Sequence, residues 1–146
     1  MKRIVSIILV CLCSFCTLHA QTDADKILGT WITGEGKAKI LITKYGDKYG
    51  GKIVWLRDPN DENGKPKVDK RNPDVSKRTN PTLGLNNLLG FNYDGDGEYE
   101  NGTIYDPANG KTYKCVMELE NANTLKVRGY IGFTLIGRTD IWKRVD

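Results

Sequence analysis

Short runs in which apolar and polar residues alternate, separated by turns rich in glycine and asparagine, fill most of the chain after residue 28. Ala38, Ile40 and Ile42 alternate with Lys39 and Thr43, the period-two pattern of a strand with one buried face. Gly46-Asp47 interrupts the run, and Tyr49, Gly51, Ile53 and Trp55 resume it, which predicts a hairpin. A second hairpin is predicted at Thr103-Ile104-Tyr105. It turns through Asp106-Pro107-Ala108-Asn109-Gly110 and returns with Tyr113, Cys115, Met117 and Leu119 on one face. Asn121-Ala122-Asn123 separates this strand from Thr124 to Tyr130, which holds Leu125 and Val127 on one face, and a last strand is predicted from Phe133 to Val145.

Two places look helical. Asp23 to Leu28 fits a short N-terminal helix of about one turn, capped by Thr22 or Asp23 and stopped by Gly29. The leucines of Thr82 to Leu89 fit neither period, and Gly84 weakens a helix there. Arg57 to Pro81 holds four of the five prolines, with seven basic and five acidic residues, so it reads as a long excursion: a lid, a partner-binding arm or a solvated loop. The pattern as a whole predicts an all-β fold, a single antiparallel barrel of about eight strands, since closure removes the edges that would otherwise aggregate.

Residues 1–20 have the form of a secretory signal peptide. Lys2 and Arg3 lead, Ile4 to Leu18 is apolar, and Ala20 precedes the expected cut. The expected location is therefore periplasmic or secreted, with one barrel domain over 21–146 and no stable membrane insertion after cleavage. Removing the leader takes away His19, the only histidine, and three of the four cysteines, Cys11, Cys13 and Cys16. Catalysis by Ser-His-Asp or Cys-His, zinc or copper bound through histidine, and internal disulfides then all lack parts. The net charge of +4 falls to +2 once Lys2 and Arg3 go, too little to steer the chain toward nucleic acid.

The remaining chemical candidates have plainer readings. Asp94, Asp96, Glu98 and Glu100 lack the glycine and glutamate positions of a calcium loop, and Asp94-Gly95-Asp96-Gly97 reads as a tight turn. Cys115 shares a face with apolar neighbours and has Lys114 on the other, as an inert interior thiol would. Asn101-Gly102-Thr103 matches a glycosylation triplet too short to carry weight. The basic residues of the 57–81 excursion are interrupted by acids, and no aromatic occurs from Arg57 through Gly90, so stacking platforms for nucleic acid are missing. No enzyme, metal or cofactor is expected.

Gly29-Thr30-Trp31 follows the N-terminal turn and opens the first strand, while Arg138 and Arg144 share a face of the last strand with Trp142. This arrangement resembles lipocalins, where a G-x-W and an arginine from the final strand close the barrel floor. The resemblance implies structural roles for Gly29, Trp31 and, of the two arginines, Arg138, through cation–π contact and stem packing. The chain also resembles the bacterial domain-of-unknown-function family number 2147, small secreted proteins. The residues that carry this include Gly51-Lys52-Ile53-Val54-Trp55, Asp69 with Asn72-Pro73-Asp74, Gly84-Leu85, Gly102 to Pro107, Gly110 to Tyr113, Leu125 to Gly129 and Gly137 to Trp142. Asp140 stands where many members have Gln. The resemblance implies a lipocalin-like β-barrel and supplies no catalytic residues.

An eight-stranded barrel is wide enough to be filled by side chains or to hold one small ligand. The leading expectation is a non-catalytic carrier of a small apolar or amphipathic molecule, with Trp55, Tyr105, Tyr113 and Tyr130 as pocket wall and Arg128 or Arg78 meeting an acidic headgroup. The alternative is an interaction protein that binds an envelope or host protein through the 57–81 loop.

Overall fold

A computed structural model describes residues 22–133 and 135–146. The expected leader, 1–20, with His19 and the three early cysteines, lies outside the described residues. Eight strands run in sequence order and close into an antiparallel barrel: β1 (Gly29–Ile32), β2 (Ala38–Tyr45), β3 (Lys48–Leu56), β4 (Asn86–Gly95), β5 (Glu98–Asp106), β6 (Lys111–Asn121), β7 (Thr124–Tyr130) and β8 (Gly137–Arg144). Each strand pairs with its sequence neighbours, and β1 closes on β8 through Trp31↔Arg144 and Ile32↔Lys143. The turns at Gly46-Asp47, Asp94 to Gly97, Asp106 to Gly110 and Asn121 to Asn123 stand where the sequence places them.

The barrel has two unlike ends. The closed end carries the β2–β3, β4–β5 and β6–β7 turns and a 3-10 turn, Asp23–Ile27, which stands in place of the expected short helix. Thr22 makes no side-chain cap; the turn is held by tertiary contacts instead. Ile27 is fully buried, Tyr99 donates to the Ala24 carbonyl at 2.7 Å, and Tyr49 donates to Asp25 at 2.6 Å. The mouth carries the β1–β2 and β5–β6 turns, the long β3–β4 connection and the β7–β8 loop. Between the ends, alternation sends Trp31, Ile40, Ile42, Tyr49, Ile53, Leu88 and Phe91 from one half of the wall and Tyr99, Cys115, Met117, Leu125, Val127 and Trp142 from the other into one buried core. Side chains therefore fill the lower barrel.

Three segments differ from the sequence expectation. Thr82 to Leu89 joins the sheet, because Gly84 and Leu85 hydrogen-bond to Ile53 and lead into β4. The 57–81 excursion is built rather than loose, with bridges Asn60↔Pro66 and Val68↔Pro81 and a 3-10 turn, Val75–Lys77. The last strand begins at Gly137 instead of Phe133, so Phe133, Leu135 and Ile136 belong to the connection between β7 and β8.

Candidate functional site

The inner layer at the mouth is formed by Ala38, Leu56, Leu85 and Ile104, apolar side chains packed on the core below and only partly buried above. Tyr113 pairs with Ile104 across β5 and β6 and so faces inward with it. Its hydroxyl accepts a hydrogen bond from Asn109 Nδ2 at 2.9 Å. Asp140 pairs with buried Val127 and shares the inner face; it accepts from the Trp142 indole at 2.7 Å and from the Gly34 amide at 3.2 Å. The mouth thus carries a layer of half-buried apolar side chains with a few polar groups at its edge.

The structure does not bring the six expected ligand residues together. Tyr113 alone lies on the inner face. Trp55 is displaced by a bulge: Lys39 pairs with Trp55 and Ile40 with Ile53, so Val54 is an extra residue and the alternation reverses. Leu56 takes the inward position, and Trp55, 39% exposed, lies outside under the Lys39 ammonium, 5.0 Å from its ring centroid. Arg128 and Tyr130 flank inward Gly129 and face out; Arg128 donates to Thr139 at 2.9 Å. Arg128 helps line an outer groove of about 330 Å³ with Glu98, Glu100, Glu118 and Lys126.

Tyr105 and Arg78 belong to a clasp that sequence reasoning missed. Tyr105 faces outward and donates at 2.7 Å to the carboxylate of Asp69, which is 1% exposed, while Asn72 Nδ2 donates to the other oxygen at 2.7 Å. Arg78 Nε donates to the Asn72 carbonyl at 2.7 Å. Burial and the Asp69 carboxylate push the Tyr105 hydroxyl pKa up to about 12, so it remains a donor across the physiological range. The backbone of Arg71 rests on Gly110, where a Cβ would collide with the Arg71 carbonyl. The 57–81 excursion is thereby pinned to the outside of β5 and the β5–β6 turn. The Asp69 and Asn72 spacing was visible in the sequence, but its partner lies 36 residues on.

At the closed end the floor is made by Trp31 and Arg144, a correction to the role expected for Arg138. The Arg144 guanidinium lies 4.3 Å from the centre of the Trp31 ring. It donates to the carbonyls of Lys26, Leu28 and Ala122 at 2.6, 2.7 and 2.7 Å. Trp31 itself is fully buried and donates its indole N–H to Ile27 at 2.9 Å. Gly29 has φ 127°, and a Cβ there would come within 2.7 Å of the Arg144 guanidinium, so only glycine fits. Arg138 sits three periods of the alternation away, at the mouth. Its side chain is 85% exposed and meets Glu35 at 3.4 Å.

Other groups offer less. Asp94, Glu98 and Glu100 bring carboxylate oxygens within 4.8 Å of one another at an exposed turn, a geometry common without any ion. Cys115 is buried, and burial pushes its thiol pKa up to about 12, which removes thiolate chemistry. A second depression, of about 870 Å³, lies outside the closed end between Asp23, Lys26, Tyr93, Asn121 and Asp146. Among the described residues, no helix is long and apolar enough to cross a membrane.

Comparison with known proteins agrees with this architecture. Protein HP1028 from the human pathogen Helicobacter pylori, described as belonging to the lipocalin family, has a solved structure that matches over 82% of this chain and 82% of its own. The two share 25% of their residues and superpose with a TM-score of 0.72. No curated protein matches the chain. The model of a family described as "Uncharacterized protein conserved in bacteria (DUF2147)" matches residues 29–144, from the glycine under the barrel floor to the arginine that closes it. The chain belongs to this DUF2147 family and carries its domain as a lipocalin-like β-barrel.

Proposed function

We propose that this protein is a non-catalytic carrier in the bacterial envelope or outside the cell, binding a small apolar or amphipathic molecule at the barrel mouth. The observation that supports this reading is the difference between the two ends. The closed end is sealed by Ile27, Trp31 and Arg144, whereas Leu56, Leu85 and Ile104 at the mouth pack on the core and stay only partly buried. An apolar chain lying on that layer removes its surface from water at about 25 cal/mol per Å². A polar head reaches the Tyr113 hydroxyl or the Arg138 guanidinium at the rim. The filled lower barrel limits the ligand to this layer; a deeper one would have to displace Tyr49, Tyr99 or Phe91.

Titration with cis-parinaric acid, a fluorescent fatty acid, tests the reading. Saturable fluorescence that unlabelled fatty acid displaces, and that Leu85→Asp weakens at least tenfold with the barrel still folded by circular dichroism, is the expected result. Fluorescence that never saturates, together with native mass spectra free of lipid for protein taken from its own envelope, would contradict it. A second reading, an interaction scaffold that uses the 57–81 arm, draws on the Asp69 clasp, which pre-organises that arm with Val75 exposed at its tip. Deleting the arm should then abolish capture of an envelope partner and leave the barrel folded.

A further inference from the structure

Among the described residues, four of the exposed large apolar side chains lie together between β7 and β8. Ile131, Phe133, Leu135 and Ile136 are 65, 75, 91 and 66% exposed, four bulky side chains within six residues. A soluble surface tolerates scattered apolar residues, but a cluster of this kind marks a contact. The run Gly129 to Gly137 contains no charge and is bracketed by Arg128 and Arg138. Three backbone hydrogen bonds lie within the loop: the Ile131 amide donates to the Ile136 carbonyl at 3.2 Å, the Phe133 amide to the Ile131 carbonyl at 3.0 Å, and the Ile136 amide to the Phe133 carbonyl at 3.0 Å. Internal pairing of this kind suits entry into a medium without water, where an unmet amide is costly.

The charge of the barrel is divided along its axis. Arg138, Lys37, Lys39, Lys111 and Lys114 stand at the mouth end together with the acids Glu35, Asp106 and Asp140, and Glu35 engages both Lys37 and Arg138. Asp94, Asp96, Glu98, Glu100, Glu118 and Glu120 stand toward the closed end, where they outnumber Lys44, Lys48, Lys126 and Lys143. A negative plane facing the mouth therefore meets Arg138, Lys111 and Lys114 beside an apolar tip, while the acids of the β4–β5 and β6–β7 turns lie at the other end. Tyr130, outward at the foot of the loop, has the half-apolar, half-polar character favoured at a headgroup boundary.

We infer that the mouth docks on an anionic lipid surface, with Phe133, Leu135 and their isoleucine neighbours entering the headgroup boundary and the mouth cations meeting lipid phosphates. A protruding tip suits this occupant better than a second copy of the chain, because a stable dimer needs about 800 Å² of matched surface on each partner. The inference holds whether or not the mouth binds a ligand, and docking would point the mouth at the bilayer.

Sedimentation of the purified protein with vesicles of phosphatidylglycerol and phosphatidylethanolamine tests it, with pure phosphatidylcholine vesicles alongside. Binding to the anionic vesicles should exceed binding to the neutral ones at least tenfold, fall with added salt, and drop at least tenfold in the double variant Phe133→Asp, Leu135→Asp. Both positions are solvent-exposed, so Tm should not move. A Phe133→Trp reporter should shift its emission to the blue on anionic vesicles. The inference is overturned if the protein stays in the supernatant, if both vesicle types bind alike, or if the double variant binds like the parent. It is equally overturned if sedimentation without lipid shows a dimer that the double variant abolishes, which would make a second copy the occupant.

Discussion

Replacing Arg144 with alanine tests how the barrel is closed. The substitution removes three charge-assisted hydrogen bonds, to the carbonyls of Lys26, Leu28 and Ala122, and the guanidinium 4.3 Å from the Trp31 ring centre. A hydrogen bond to a charged group contributes about 1.5–3 kcal/mol when its acceptor stays dry, and a partly exposed cation–π contact about 1 kcal/mol. The Arg144 side chain keeps 16% of its surface in water, so water replaces part of what the carbonyls lose. A net cost of about 3 kcal/mol follows, which lowers Tm by roughly 10 °C in a domain of this size. Arg144→Lys should recover little of it, because one ammonium cannot reach three divergent carbonyls. Arg138→Ala is the control. Its exposed pairing with Glu35 contributes within about 0.5 kcal/mol, as surface ion pairs do. Thermal unfolding followed by circular dichroism measures all three variants, and equal losses for Arg138→Ala and Arg144→Ala would refute the reasoning.

Three further outcomes follow from the geometry. Tyr105→Phe strips a donor from buried Asp69 and should cost about 1–3 kcal/mol while speeding protease cleavage within 57–81; unchanged cleavage would mean that the clasp does not hold the arm. The Tyr49 hydroxyl and the Lys44 ammonium hold the Asp25 carboxyl below its usual value of 3.8, so the ionised form favours the fold. That contribution is present above pH 4 and lost as pH falls through the lower folded value, and Tyr49→Phe should flatten the acid limb of stability against pH. Cys115, its thiol raised to about 12, should resist a disulfide reagent at pH 8 in the native protein and react once the chain is unfolded, whereas fast native reaction would contradict its burial.

The barrel was legible in the sequence where local rules decide the structure. Period-two alternation and the turns at Gly46, Pro107 and Asn121 depend on residues close together, and they locate β2, β3, β6 and β7 and the end of β5 from Thr103. What depended on register was not legible. Arg138 and Arg144 share the inner face, and only the pairing of β8 with β1, Trp31↔Arg144, decides which of them meets the tryptophan. One bulge at Val54 turned Trp55 outward, since a shift of one residue exchanges the faces of a strand, while Tyr105 and Tyr130 face out beside inward Ile104 and Gly129. Contacts across long separations, such as Asp69 with Tyr105, leave no local trace. The 131–136 loop was misread for the opposite reason: its apolar residues look like a strand, and the absence of charge between Arg128 and Arg138 was the signal overlooked.

The central claim, an apolar binding layer at the mouth above a filled barrel, is tested most directly by amide chemical shifts of labelled protein titrated with a medium-chain fatty acid. The account predicts saturable shifts clustered at Leu56, Leu85, Ile104, Tyr113 and Asp140, with Tyr49, Tyr99 and Trp31 unmoved. Shifts centred on the outer groove at Glu118, Lys126 and Arg128, or none at millimolar ligand, would contradict it.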